Sequence, residues 1–147
     1  PRDQLMVVRF NNSVTELVPL CTVRECGERA AALVEGVFAE GSTSLHDVVI
    51  KSYRTLRDLQ RAAPGRRYSI LLLSDGKDTS SGTNRNDFLD TLPSGEDYEV
   101  PKVYSIAYGP EADKDLLAEI SNRTNARLFV STPEEITKTY KELSANF

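Results

Sequence analysis

Residues 68–78 read Tyr68-Ser69-Ile70-Leu71-Leu72-Leu73-Ser74-Asp75-Gly76-Lys77-Asp78, an apolar run that stops at an acid followed at once by a glycine. A short apolar run bounded by turn residues is the pattern of a strand covered on both faces, because both sets of alternating side chains must leave water. Strand 68–74 is therefore expected in the interior of a sheet, with Asp75 at its carboxyl end. In open α/β sheets ligands bind in the crevice outside these strand ends, so an acid there is placed to meet a cation or a donor group. Gly76 is expected to let the backbone turn sharply and leave the carboxylate uncovered. The alternative is that Asp75 caps a turn through its own backbone.

Working outward, Gly41-Ser42-Thr43-Ser44-Leu45 opens a long amphipathic pattern in which Leu45, Val48, Val49, Tyr53, Leu56 and Leu59 recur at helical spacing up to about Ala63. One of the three hydroxyls is expected to cap this helix. The surplus oxygens would suit a hard cation such as magnesium, which takes oxygen ligands; Ser and Thr are also the ordinary residues before any helix.

The rest of the chain alternates. Residues 5–10 and 14–20 read as a hairpin joined by Asn11-Asn12-Ser13. Residues 28–38 carry Ala30, Leu33, Val34, Val37 and Phe38 on one helical face, and Gly41 follows as a stop. A short helix near 86–92 interrupts a polar loop. Strand 102–108 follows, then a helix with Leu116, Leu117 and Ile120, a strand Leu128 to Val130, and a last helix marked by Ile136, Tyr140 and Leu143. Strands alternating with helices predict an α/β fold: a Rossmann-like three-layer sandwich with a mostly parallel sheet and one antiparallel edge strand. All 147 residues read as one domain.

In this order, the Gly41-Ser42-Thr43-Ser44-Leu45 loop and the Ser74-Asp75-Gly76 strand end resemble the von Willebrand factor type A domain family. In that family a threonine of a Gly-x-Thr-x-Leu loop and the aspartate of a Ser/Thr-Asp-Gly strand end contribute to a metal-ion-dependent adhesion site; here they match Thr43 and Asp75. The resemblance extends to Asp3 to Phe10 as the family's second strand, to Val103 to Gly109 as its fifth, and to the closing stretch from Thr132 to Phe147, which resembles the last helix of bacterial members. It implies a domain that binds Mg2+ or Mn2+ and, through it, a protein ligand presenting an acidic residue. The rim of this site would include Ser42, Ser44, Gly76, Lys77 and Asp78.

One departure is large. The family's Asp-x-Ser-x-Ser motif, at the end of its first strand, occurs nowhere in these residues, and the chain opens on what looks like the loop after the family's first helix. Magnesium dehydrates reluctantly and is held by few protein groups, so Thr43 and Asp75 alone should bind it weakly or not at all. The resemblance places the absent strand centrally, between the family's second and fourth. Its loss would leave two backbone edges unpaired and prone to pair with another chain, so self-association through the open sheet is expected unless a partner or a longer parent protein supplies the strand.

Composition excludes some classes. The formal net charge of −4, with both signs mixed, gives no electrostatic reason to expect nucleic acid. No stretch approaches the length of a membrane span. Cys21 and Cys26 fit neither a redox motif nor a zinc knuckle, and His46 is the only histidine. The two cysteines form a disulfide in an oxidising compartment or stay as free thiols. The resemblance, which takes in domains attached to extracellular solute-binding modules, points to an extracellular or cell-envelope setting, with the cytoplasm as the alternative.

The leading function is protein–protein adhesion without enzymatic activity. A metal-dependent hydrolase using Asp75 is the alternative from another class, but no glycine-rich phosphate loop accompanies it. A metal-independent structural module is the third.

Overall fold

Strand β3 (Ser69–Ser74) pairs in parallel with β4 (Lys102–Tyr108), from Ser69 against Lys102 to Ser74 against Ala107, and β4 pairs in parallel with β5 (Leu128–Ser131). The sheet order is β3-β4-β5. These relations come from a computed structural model, which describes residues 3–35, 43–94, 96, 99–132 and 134–144. The other described elements are β1 (Gln4–Phe10), β2 (Val14–Thr22), α1 (Val23–Glu35), α2 (Leu45–Ala62), α3 (Arg85–Asp90), α4 (Lys114–Arg123) and α5 (Ile136–Ser144).

Alternation along β4 builds the three layers. Val103 and Ala107 face a core with Leu72 of β3, Leu45, Val48, Val49 and Tyr53 of α2, Phe88 and Leu89 of α3, and Leu116, Leu117 and Ile120 of α4. Tyr104 and Ile106 point the other way and pack with Leu143 of α5, Phe129 and Ile136. Burial on both sides is why strand 102–108 reads as a nearly continuous apolar run. The fold is the expected α/β sandwich of Rossmann type.

The hairpin departs from expectation. β1 and β2 pair antiparallel as a separate two-stranded sheet, not as the edge of one continuous sheet. Val8, Phe10 and Val14 still pack on the same core as Leu72 and Ile70, and Arg66 Nη1 donates to Gln4 Oε1 at 2.9 Å. Side chains, and no backbone ladder among the described residues, join the two sheets.

Strand 68–74 is accordingly not interior. β3 is an edge of the three-stranded sheet, and among the described residues nothing pairs with its outer side. Leu71 and Leu73, opposite Tyr104 and Ile106, are 40% and 39% exposed. The apolar run correctly marks a strand built for cover on both faces; the cover over Leu71 and Leu73 is what is short.

Helix α1 starts earlier than the periodicity suggests. The Thr22 N–H donates to Glu25 Oε2 at 3.1 Å and the Glu25 N–H to Thr22 Oγ1 at 3.3 Å, a reciprocal capping box. Its buried stripe is Cys26 and Ala30, packed with Val18 of β2, while Leu33 is exposed. A disulfide joins Cys21 to Cys26 across the strand-to-helix corner. Val37, Phe38, Gly41 and Ser42 lie outside the described residues.

Candidate functional site

The amino end of α2 lies against the loop that follows β3, and the two are joined residue by residue. Ser44 holds the N-cap position, yet its side chain makes no capping bond. Asp78 does that work from the loop: the His46 N–H donates to Asp78 Oδ1 at 3.1 Å, and the Asp47 N–H donates to Ser81 Oγ at 3.1 Å. Ser81 Oγ in turn donates to Asp78 Oδ1 at 2.6 Å, and the Gly82 N–H donates to Asp47 Oδ2 at 2.8 Å. Free N–H groups of the first helical turn thus find acceptors on a segment more than thirty residues away. The carboxylates also lie at the positive end of the helix dipole.

Thr43 is held through its backbone. Its N–H donates to Thr79 Oγ1 at 2.8 Å, and its carbonyl accepts from the Thr79 and Ser80 N–H groups at 2.8 and 3.1 Å. Ser44 Oγ lies 3.2 Å from Ser80 Oγ, and the Ser44 N–H donates to Asn11 O at 2.7 Å, tying in the hairpin. The Thr43 hydroxyl has no hydrogen-bond partner among the described residues. It faces the Asp75-Gly76 turn, 3.8 Å from where a Cβ on Gly76 would sit. Asp75 is exposed, and its carboxylate too has no partner among the described residues.

His46 locks the far side of the loop. Its ring is buried, with Nδ1 2.8 Å from the Thr83 carbonyl oxygen, so Nδ1 carries the proton and donates. Asp78 Oδ2 lies 3.5 Å from the same nitrogen, and the ring stacks on Phe88 of α3 at 4.8 Å between centroids. Groove-lining residues Lys51, Arg54 and Asp58 run from the rim along α2, with charges of both signs.

Among solved structures, the chain is similar to a von Willebrand factor type A protein from Catenulispora acidiphila, with a TM-score of 0.77 and 18% identity over 97% of this chain. The chain has the von Willebrand factor type A fold. It spans 33% of the length of the Catenulispora protein. It is also similar to the conserved hypothetical protein BatB from Bacteroides thetaiotaomicron, with a TM-score of 0.64 and 10% identity over 99% of this chain and 80% of that one. At these identities the likeness is one of fold. No protein-family model and no curated protein matches the sequence.

Within the type A fold, the rim residues separate into two groups. Thr43, Asp75, Gly76 and the exposed Lys77 lie together at the carboxyl end of β3. Ser44 is buried, and Asp78 is engaged in capping; Ser42 lies outside the described residues. Gly76 is not in the left-handed backbone region, which among the described glycines is reached by Gly109 at φ 87°. A Cβ on Gly76 would meet the Thr43 hydroxyl at an ordinary contact distance, so the turn does not demand glycine. The sequence reading missed Thr79, Ser81, Gly82 and Thr83 as the partners of α2. Their only signal was the density of Asp, Ser and Thr in 78–83, which is ordinary for a loop.

As donors for a cation, a hydroxyl and a carboxylate are the hard oxygen ligands magnesium and manganese take. Among the described residues no group of three or more His, Cys, Asp or Glu side chains converges to hold a metal. The set fits part of an octahedral shell, not a whole one.

Proposed function

We propose that the chain is a protein-interaction module whose contact surface is the rim around Thr43 and Asp75. The observation that carries this reading is that, beside a loop whose Asp78, Ser81 and Gly82 are bonded to the start of α2, the Thr43 hydroxyl at the Asp75-Gly76 turn and the exposed Asp75 carboxylate have no hydrogen-bond partners among the described residues. Mg2+ or Mn2+ would be held by Thr43 directly and by Asp75 through water, and an acidic side chain of a protein partner would complete the shell. When bound, the cation would supply an electrostatic bridge between two surfaces. With two donors from this chain the affinity is weak, and further oxygen ligands must come from outside the described set.

Binding without catalysis is the reading favoured by the engagement of His46. The sole histidine is buried, stacked on Phe88 and bonded through Nδ1 to the Thr83 carbonyl, so burial keeps its ring away from the exposed Asp75 carboxylate. An extracellular or cell-envelope setting is supported by the Cys21–Cys26 disulfide. No helix among the described residues is long and apolar enough to cross a membrane.

Addition of Mn2+ tests the site. Paramagnetic broadening should reach the amide signals of 43–45 and 74–77 first, and a chelator should restore them. Broadening centred on any other acidic surface would overturn the assignment.

A further inference from the structure

Three acids, Asp47, Asp75 and Asp78, stand within a few residues of the rim, and their surroundings divide them. Asp47 Oδ2 accepts from the Gly82 N–H and Asp78 Oδ1 accepts from both the His46 N–H and the Ser81 hydroxyl. Asp78 is also drawn to the buried His46 ring. Asp75 makes no such bond among the described residues. Asp78 thus spends its lone pairs on the frame that holds residues 43–47 against 78–83, and the Thr43 hydroxyl is fixed by backbone bonds of the same frame to Thr79 and Ser80.

We propose that Asp78 and His46 are positioning residues, which hold the Thr43 hydroxyl at the Asp75-Gly76 turn while taking no part in binding the cation or the partner themselves. The role rests on the reading of Thr43 and Asp75 given above, and it makes a distinction a list of acids would miss. Asp78 acts as an acceptor, so its oxygen matters and its charge adds little. A cation ligand in the same place would act through its charge.

Asparagine against alanine separates the two. Asp78→Asn keeps an Oδ1 able to accept from the His46 N–H and the Ser81 hydroxyl and gives up only the longer contacts of Oδ2, 3.4 Å from the Ser81 nitrogen and 3.5 Å from His46 Nδ1, whereas Asp78→Ala leaves a helix-end donor without an acceptor. Hydrogen exchange by mass spectrometry reads the frame in peptides over 43–50 and 77–84, with the peptide over β4 as an internal control. Asp78→Ala should speed exchange in both rim peptides by roughly tenfold or more, the consequence of leaving a buried donor unsatisfied. Asp78→Asn should stay within about threefold of the parent chain, the weakening that loss of a helix-dipole interaction brings. Mn2+ broadening at Thr43 should survive in the asparagine variant and be lost in the alanine variant. Unchanged exchange in Asp78→Ala, or an asparagine variant as impaired as alanine in either readout, overturns the proposal. If alanine exposes the β4 peptide as well, the Mn2+ response of the asparagine variant decides: retained, it supports the positioning role; lost, it overturns it. Absence of Mn2+ broadening in the parent chain contradicts the cation site alone, since the exchange results still judge the frame.

Discussion

The amino end of α2 lies against the loop that leaves β3, yet it and the outer edge of β3 differ in how far the chain satisfies its own groups. At α2 the first-turn N–H groups of His46 and Asp47 find acceptors on 78–83, and the loop's Gly82 finds one on Asp47. At β3 the outer backbone edge has no partner among the described residues, and two leucines stand about two-fifths exposed beside it. The first region is preorganised and leaves two oxygen donors uncommitted. The second is an edge left unpaired among the described residues, and such edges are where chains join.

The largest expected effect breaks the first region. His46→Ala removes a buried ring, its bond to the Thr83 carbonyl and its stack on Phe88, and should cost about 3 kcal/mol of stability, in the range for large-to-small changes at buried sites. Urea denaturation measures it; a loss below about 1 kcal/mol would mean the loop is not fastened by this residue.

The second prediction turns to the open edge. We expect the chain to self-associate through β3, and Leu73→Lys, which puts a charge beside that edge, should shift it towards monomer in sedimentation while changing stability by no more than about 0.5 kcal/mol. Association that ignores this charge would place the contact elsewhere.

Ser44→Ala gives a smaller and sharper test. An ordinary N-cap serine is worth about 1 kcal/mol, but the Ser44 hydroxyl makes no capping bond, and its hydrogen-bond partner among the described residues is the exposed Ser80 hydroxyl. The loss should be well under that of Ser81→Ala, whose hydroxyl accepts from Asp47 and donates to Asp78. Equal losses in denaturant melts would return the cap to Ser44.

The smallest effect lies far from both regions, at α1. Hydrogen bonds from the Thr22 hydroxyl and then the Thr22 backbone hold the Glu25 carboxyl below its ordinary value. A depressed folded-state value means the stabilisation is present above the unfolded value and is lost as pH falls through the folded one. Exchange at the start of α1 should therefore quicken under acid, and Glu25→Gln should blunt that response.

Much of this was legible in the sequence, for reasons that also explain the rest. β3, β4, α2 and α4 follow from apolar period alone, and the places of Thr43 before a helix start and of Asp75 after a strand end follow from two short motifs. The exchange of caps between α2 and 78–83 was not legible, because its bonds span more than thirty residues and use side chains ordinary for any loop. The start of α1 was available in Thr22-x-x-Glu25 but was obscured by apolar residues running on from β2. The split of the sheet was not legible in any one segment, since β3 has the composition of a strand with two neighbours and the structure supplies one.

The central claim is that Thr43 and Asp75 are the uncommitted donors of a weak divalent-cation site. Calorimetric titration with Mg2+ and Mn2+ tests it most directly, on the parent chain, Thr43→Val and Asp75→Ala. The account predicts binding no tighter than about millimolar, as two protein oxygens allow, and a further loss in each variant. Binding left unchanged in either variant would contradict it.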